Sequence, residues 1–141
     1  MIKNSLKILL TIILLQNIIS CDSKHQVVPN VYVNFYLSIF DPEFNDLAAP
    51  GNSIYVTGGV NGIVIYRVSQ DEFVAYDRTC TYQVEENCRI TTDDTGLFAT
   101  DTTCCESKFL LLDGSVQEGP AMYMLKEYQT TFDGTYLHVF N

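Results

Sequence analysis

The amino-acid sequence predicts an all-β domain, and three observations carry that prediction. Val31 to Phe40 alternates strictly between two faces. Short runs rich in β-branched and aromatic residues follow it, divided by Gly, Pro, Asn-Gly and Asp-Gly turn signals. No segment sustains the 3.6-residue apolar period of an amphipathic helix.

Each element follows in chain order. In the first strand Val31, Val33, Phe35, Leu37 and Ile39 share one face, with Tyr32, Asn34, Tyr36 and Ser38 on the other, the pattern of a half-buried strand. Asp41 to Gly51 holds Pro42, Pro50 and Gly51 and reads as a loop. Ser53 to Thr57 is a short strand ended by Gly58-Gly59, and Asn61-Gly62 turns into a strand over Ile63 to Val68. Ser69 to Glu72 turns the chain so that Phe73 to Tyr76 pairs back. Thr79 to Glu106 is rich in Thr, Asp and Glu, carries four cysteines and holds only a weak strand at Leu97 to Ala99. It reads as a pair of loops held between strands, where sites are often built. Phe109 to Leu112, Met122 to Leu125, Gln129 to Phe132 and Thr135 to Phe140 are further predicted strands, the last two joined at Asp133-Gly134.

The N-terminus reads as an address. Lys3 and Lys7 precede an apolar run, Ile8 to Leu15, too short to span a bilayer. Ile18-Ile19-Ser20-Cys21 then resembles a bacterial lipobox. That resemblance implies a signal peptide over residues 1–20, cleavage before Cys21 and acylation of Cys21, with several chains giving a stable membrane anchor. Residues 21–30 form a tether containing a solvated His25, and residues 31–141 the domain. The expected location is the cell envelope, facing the periplasm or the exterior. Lys3 and Lys7 are the only charges among the first 20 residues, so the mature chain keeps six basic against 17 acidic side chains, a net −11. Such a surface excludes nucleic acid as a partner.

Cys80, Cys88, Cys104 and Cys105 remain after Cys21 is set aside. An even number outside the cytoplasm favours disulfides. A bridge between the neighbours Cys104 and Cys105 would strain the peptide between them, which leaves two pairings, both joining the Cys80–Cys88 loop to the Cys104–Cys105 loop. Zinc favours cysteines two to four residues apart, a spacing absent here, so no metal site is expected.

Two stretches carry a family resemblance: GIVIYRVSQDEFVAYDRTCTYQ from Gly62, and CCESKFLLLDGSVQEGPAMYMLKEYQTTFDGTYLHVF from Cys104. Arg67, Phe73, Ala75, Cys80-Thr81, Ser107-x-Phe109, Asp113-Gly114-x-Val116 and Gly119-Pro120-Ala121 are its specific parts. Together they resemble the Rieske-type 2Fe–2S domain over Gly62 to Phe140. The resemblance implies a Rieske-like antiparallel β-sandwich or small barrel with two cysteine-bearing loops.

A Rieske cluster needs two Cys on one iron and two His on the other. On the family pattern Cys80 stands at the first Cys, Tyr82 at the first His, Thr102 at the second Cys and Cys105 at the second His. Thr103 replaces the pattern's proline and Glu106 its glycine. The ligand set is degenerate and no cofactor is expected. Some family members also bridge the ligand loops with a disulfide. Cys104 matches one of its positions, and Cys88, three residues later than the pattern asks, the other. The resemblance thereby implies Cys88–Cys104, leaving Cys80 opposite Cys105 across the vacated cluster position, where a second bridge, Cys80–Cys105, is expected to replace the iron as the staple.

Other chemistry lacks its motifs. His138 stands without a serine–histidine–acid constellation, between Leu137 and Val139 on a predicted strand, and is expected to pack or face solvent. Glu85-Glu86 and Asp93-Asp94 lack calcium-loop spacing and read as solvated acidic loops. The expected function is a non-enzymatic structural or interaction module with an envelope protein partner. Electron transfer through a divergent 2Fe–2S centre and thiol–disulfide chemistry at Cys80 and Cys105 are the alternatives.

Overall fold

The structure, a computed structural model, describes residues 27–141. The signal peptide, Cys21 and His25 lie outside the described residues. Ten strands form two antiparallel sheets. The larger has the order β1-β10-β9-β4-β3-β2, built from β1 (Asn34–Ser38), β2 (Ser53–Val56), β3 (Ile63–Arg67), β4 (Phe73–Asp77), β9 (Glu127–Phe132) and β10 (Tyr136–Phe140). The smaller runs β5-β6-β7-β8, from β5 (Thr91–Thr92), β6 (Phe98–Thr100), β7 (Lys108–Leu110) and β8 (Val116–Glu118).

The β3–β4 hairpin is the wall between two cores. Every residue of β3 is buried, and alternation sends its side chains to opposite sides. Ile63 and Ile65, with Phe73 and Ala75 from β4, pack against Val33, Leu37, Leu47, Leu137 and Val139. Val64, Tyr66 and Tyr76 pack on the other side with Cys80, Cys88, Ile90, Phe109 and Leu111. Tyr55 at the edge strand β2 ties the sheets together: its hydroxyl accepts from the Thr92 amide at 2.7 Å and lies 2.7 Å from Thr92 Oγ1.

Two of the motif residues are structural. Arg67, 3% exposed, donates to the Leu47 carbonyl at 2.7 Å, the Ala48 carbonyl at 2.9 Å and the Ser69 carbonyl at 3.1 Å. Its guanidinium lies over the Phe73 ring, 5.1 Å from the centroid. One buried cation thus satisfies the backbone between β1 and β2 and the β3–β4 turn.

Three sequence expectations need correction. Asp41 to Gly51 is not a plain loop, because Pro42–Ala48 forms a 3-10 helix. Asp41 accepts from the Glu43 amide at 3.1 Å, and Pro42 occupies the first turn, a capping signature present in the sequence. Met122 to Leu125 is not a strand: Met122, Tyr123 and Met124 are all exposed, and only Leu125 is buried. β9 begins two residues later, at Glu127. Finally, β5 and β8 form where the sequence shows no clear alternation.

His138 packs, as expected from its strand. Its ring stacks between Tyr36 (centroids 4.0 Å apart) and Phe140 (4.4 Å), and Nε2 lies 2.9 Å from Asn34 Oδ1.

Candidate functional site

Three chain segments converge at one end of the smaller sheet. The first, between β4 and β5, carries Cys80 and Cys88. Asp77, fully buried at the end of β4, organises its entry. The carboxylate accepts from the Val60 amide at 2.7 Å, the Thr79 amide at 2.9 Å, Thr79 Oγ1 at 2.6 Å and Tyr128 OH at 2.8 Å. Burial, and then this bond to Asp77, raises the Tyr128 hydroxyl above its ordinary pKa. The Cys80 amide donates to the Cys88 carbonyl at 2.8 Å and the Ile90 amide to the Arg78 carbonyl at 2.8 Å, so the segment folds back on itself.

The second segment, between β6 and β7, carries Cys104 and Cys105. Buried Asp101 holds it: Oδ1 accepts from the Thr103 amide at 2.9 Å, Thr103 Oγ1 at 2.9 Å and the Cys104 amide at 3.1 Å. Burial by itself raises the Asp101 carboxyl, but bonds from Thr103, Cys105 and Cys104 outweigh it and hold the group below the usual carboxylate range. The Asp101 amide donates to the Ser107 carbonyl at 3.0 Å and closes the loop.

Gly119-Pro120-Ala121 forms the third segment. It docks on Ser107, whose Oγ accepts from the Ala121 amide at 3.1 Å and lies 3.0 Å from Cys105 Sγ. Thr81 Oγ1 donates to the Tyr123 carbonyl at 2.6 Å, linking the first segment to the third.

The structure joins Cys88 to Cys104 in a disulfide, with Cα atoms 6.1 Å apart. The second expected bridge is not formed. Cys80 and Cys105 are thiols whose sulfurs lie 3.1 Å apart, and Cys105 Sγ is 3.3 Å from Asp101 Oδ2. Burial, with the Cys105 contact adding to it, pushes the Cys80 thiol up to about 12. Cys80 is buried and Cys105 half-buried. Of the other two ligand positions, Tyr82 is half-buried against the same core and Thr102 is exposed.

Cys80, Asp101 and Cys105 bring potential ligand atoms within 4.8 Å of one another. This donor set does not fit a Rieske cluster. It offers two sulfurs and a carboxylate oxygen already engaged by Cys105, while Cys88 and Cys104 are consumed by their own bridge. The only histidine among the described residues, His138, is stacked in the larger sheet. Asp101 did not stand out in the sequence, and Ser107 did so only as part of the resemblance. The Asp-x-Thr spacing of Asp101 and Thr103 and the Ser107-x-Phe109 motif were the available signals. The acidic loops are turns: Asp93 accepts from the Thr95 amide at 3.1 Å and its hydroxyl at 2.6 Å, and Glu85-Glu86 lies in a short 3-10 helix.

No protein-family model matches the chain, and no curated protein matches it in sequence. Solved structures do. The ferredoxin of carbazole 1,9a-dioxygenase from Nocardioides aromaticivorans IC177 superposes with a TM-score of 0.51 at 15% identity, over 78% of this chain and 97% of that one. A complex of reduced oxygenase and oxidized ferredoxin in carbazole 1,9a-dioxygenase gives 0.48 at 22% identity, over 64% of this chain and 82% of that one. The E. coli protein NirD gives 0.45 at 17% identity, over 77% and 98%. The fold is Rieske-type, a curled antiparallel β-sandwich with its cysteine-bearing loops at one end.

Proposed function

We propose that the chain is a Rieske-type module of the cell envelope, tethered through an acylated Cys21, whose tip is held by cysteine pairs in place of an iron–sulfur cluster. It acts as a non-enzymatic interaction module, presenting that tip to an envelope protein. The observation that carries this reading is the pairing of all four loop cysteines across the two loops: Cys88 bonded to Cys104, and the Cys80 and Cys105 sulfurs 3.1 Å apart. In an oxidising compartment the second pair closes by exchange with a disulfide-carrying oxidoreductase. Two thiols lose two protons and two electrons, one S–S bond forms, and the oxidoreductase leaves as a dithiol. The lipobox and the apolar run before it support the tether.

Iron analysis and a visible spectrum of anaerobically purified protein test the lost cluster. Colourless protein with no stoichiometric iron is the expected result. Two irons per chain, with the paramagnetic signal of a reduced 2Fe–2S centre, replace the proposal with the electron-transfer reading. Cys21→Ser tests the tether: the variant is expected to remain unprocessed and unlabelled by fatty acid, and wild-type labelling refutes the anchor.

A second reading is favoured by one observation. Cys105 is half-buried with Cys80 fully buried behind it, the arrangement of an accessible attacking sulfur and a buried resolving one. Reduction of a protein disulfide by the dithiol form, lost in Cys105→Ser, supports this reading, and equal activity in that variant rejects it.

A further inference from the structure

We propose that the segment Met122–Met124, with Val27 beside it, is a membrane-docking surface that seats the domain on the lipid bilayer to which it is tethered. The inference rests on the acylated-Cys21 reading and specifies what the domain does once anchored. Four apolar side chains of these two stretches are exposed: Val27 is 77% exposed, Met122 84%, Tyr123 44% and Met124 57%. Val27, Val28, Tyr123 and Met124 line an apolar groove of about 400 Å³ there.

The stem of the tether is fixed beside that patch. Lys126, two residues beyond Met124, donates through Nζ to the Pro29 carbonyl at 2.6 Å and to Asn30 Oδ1 at 3.0 Å. From the other side Asn141 Nδ2 donates to the Val31 carbonyl at 2.7 Å and to Asn30 Oδ1 at 2.9 Å. The chain therefore leaves the domain at the groove. Five residues separate Cys21 from Val27, so a fully extended tether of six steps reaches no more than about 22 Å. An acyl anchor at Cys21 holds the patch within that distance of the bilayer interface. Exposed methionine, tyrosine and valine are side chains that partition into the headgroup–acyl boundary. The mature chain's net −11 opposes anionic lipid, so the contact is apolar and belongs on a zwitterionic surface.

Depth-dependent quenching tests this in the full acylated protein, reconstituted in phosphatidylcholine vesicles containing brominated acyl chains. The chain has no tryptophan, so Tyr123→Trp supplies a probe in the patch. Tyr136→Trp supplies a control, because Tyr136 begins β10 at the opposite end from Asn141 and is 52% exposed. The indole of Tyr123→Trp is expected to lose roughly half or more of its emission, as a ring seated about 5–10 Å into the boundary does. That of Tyr136→Trp is expected to lose little. Adding Met122→Ser and Met124→Ser to the probe variant is expected to abolish most of the quenching, with circular dichroism verifying the fold.

Fatty-acid labelling of the same preparations separates the failures. Labelled protein whose Tyr123→Trp indole is unquenched, or quenched only as much as the control, overturns the docking surface and leaves the tether standing. It would assign the patch to a protein or a small apolar ligand. Quenching confined to cationic vesicles overturns the proposal in favour of charge attraction. Unlabelled protein removes the tether, and the docking proposal with it.

Discussion

Gly119 lies so close to Ser107 that a Cβ at position 119 would stand 2.6 Å from Ser107 Cα and 3.0 Å from its amide nitrogen. The contact is backbone against backbone, and φ at Gly119 is +94°, a conformation that favours glycine. It explains why Gly119-Pro120-Ala121 is a motif: only without a side chain can the third segment reach Ser107, whose hydroxyl meets both the Ala121 amide and the Cys105 thiol.

Gly119→Ala should therefore destabilise the domain through two causes, the left-handed backbone at about 1–2 kcal/mol and the forced separation from Ser107 at about 1–3 kcal/mol. Gly134→Ala has the same φ of +94° with nothing within 4 Å of the added Cβ, so it should show only the first. Urea unfolding of both variants measures the difference, and equal losses would remove the close-approach explanation.

Asp77 gathers four short hydrogen bonds in a fully buried position. Asp77→Asn places an amide N–H against at least one of those donors, and an unmatched buried polar group costs about 1–3 kcal/mol. Tyr128→Phe removes one charge-assisted bond and should cost about 1.5–3 kcal/mol. Because the two side chains are in contact, the double variant should lose less than the sum; strict additivity in a double-mutant cycle would contradict the coupling.

The Cys88–Cys104 bridge closes a span of 16 residues, for which loop entropy gives about 3 kcal/mol. The Cys88→Ala, Cys104→Ala double variant should lose about that much in urea unfolding. A loss near zero would mean that Asp101 and the Cys80–Cys88 backbone bond hold the loops unaided.

Thiol reactivity should separate the second pair. With Cys88–Cys104 intact and the other pair reduced, half-buried Cys105 should alkylate well before buried Cys80. The Cys80 thiol sits at about 12 in the fold against an ordinary 9.0. Between those values the unfolded chain gives up its proton and the folded one keeps it, so stability from this group is complete below pH 9.0 and declines as pH rises toward 12. Cys80→Ala, compared under the same partly reduced conditions, should flatten that alkaline decline. An unchanged slope would show that Cys80 titrates in the fold as it does in the unfolded chain, and that burial does not hold its proton.

Asp101 works in the opposite direction. Its folded carboxyl is held below the ordinary carboxylate range, so its contribution is present above the unfolded carboxylate pKa and is lost as pH falls through the folded one. The protection of the Thr103 and Cys104 amides, relative to their intrinsic exchange rates, should fall in acid, and Asp101→Ala should show that lowered protection already at neutral pH. Protection unaffected by the substitution would remove Asp101 as the organiser of the second loop.

Much of the fold was legible along the chain. The alternation at Val31 to Phe40 and around His138 in Thr135 to Phe140 identified strands, because alternation reports a sheet with one buried face. Ile63 to Val68 was identified by its β-branched and aromatic run between turn signals, and β3 within it is buried on both faces. The Asn-Gly and Asp-Gly turns placed the hairpins. The 3-10 helix at Pro42–Ala48 was signalled by Asp41-Pro42, and the prolines and glycine around it hid that signal. Met122 to Leu125 misled because its composition is that of a buried strand, while its methionines and tyrosine are exposed.

By itself the sequence determined the strand alternation, the four loop cysteines and the lack of histidine at the expected ligand positions. These are properties of residue type and local spacing, and local chemistry settles them. Only the tertiary structure decided which sulfurs meet, that Asp101 and Ser107 brace Cys105, and that Asp77 joins a β2–β3 turn to β9 through Tyr128. The Cys80–Cys105 and Asp77–Tyr128 contacts join residues 25 and 51 positions apart in the chain. They depend on strand order and on which residues the two cores bury, and neither leaves a mark in a local window.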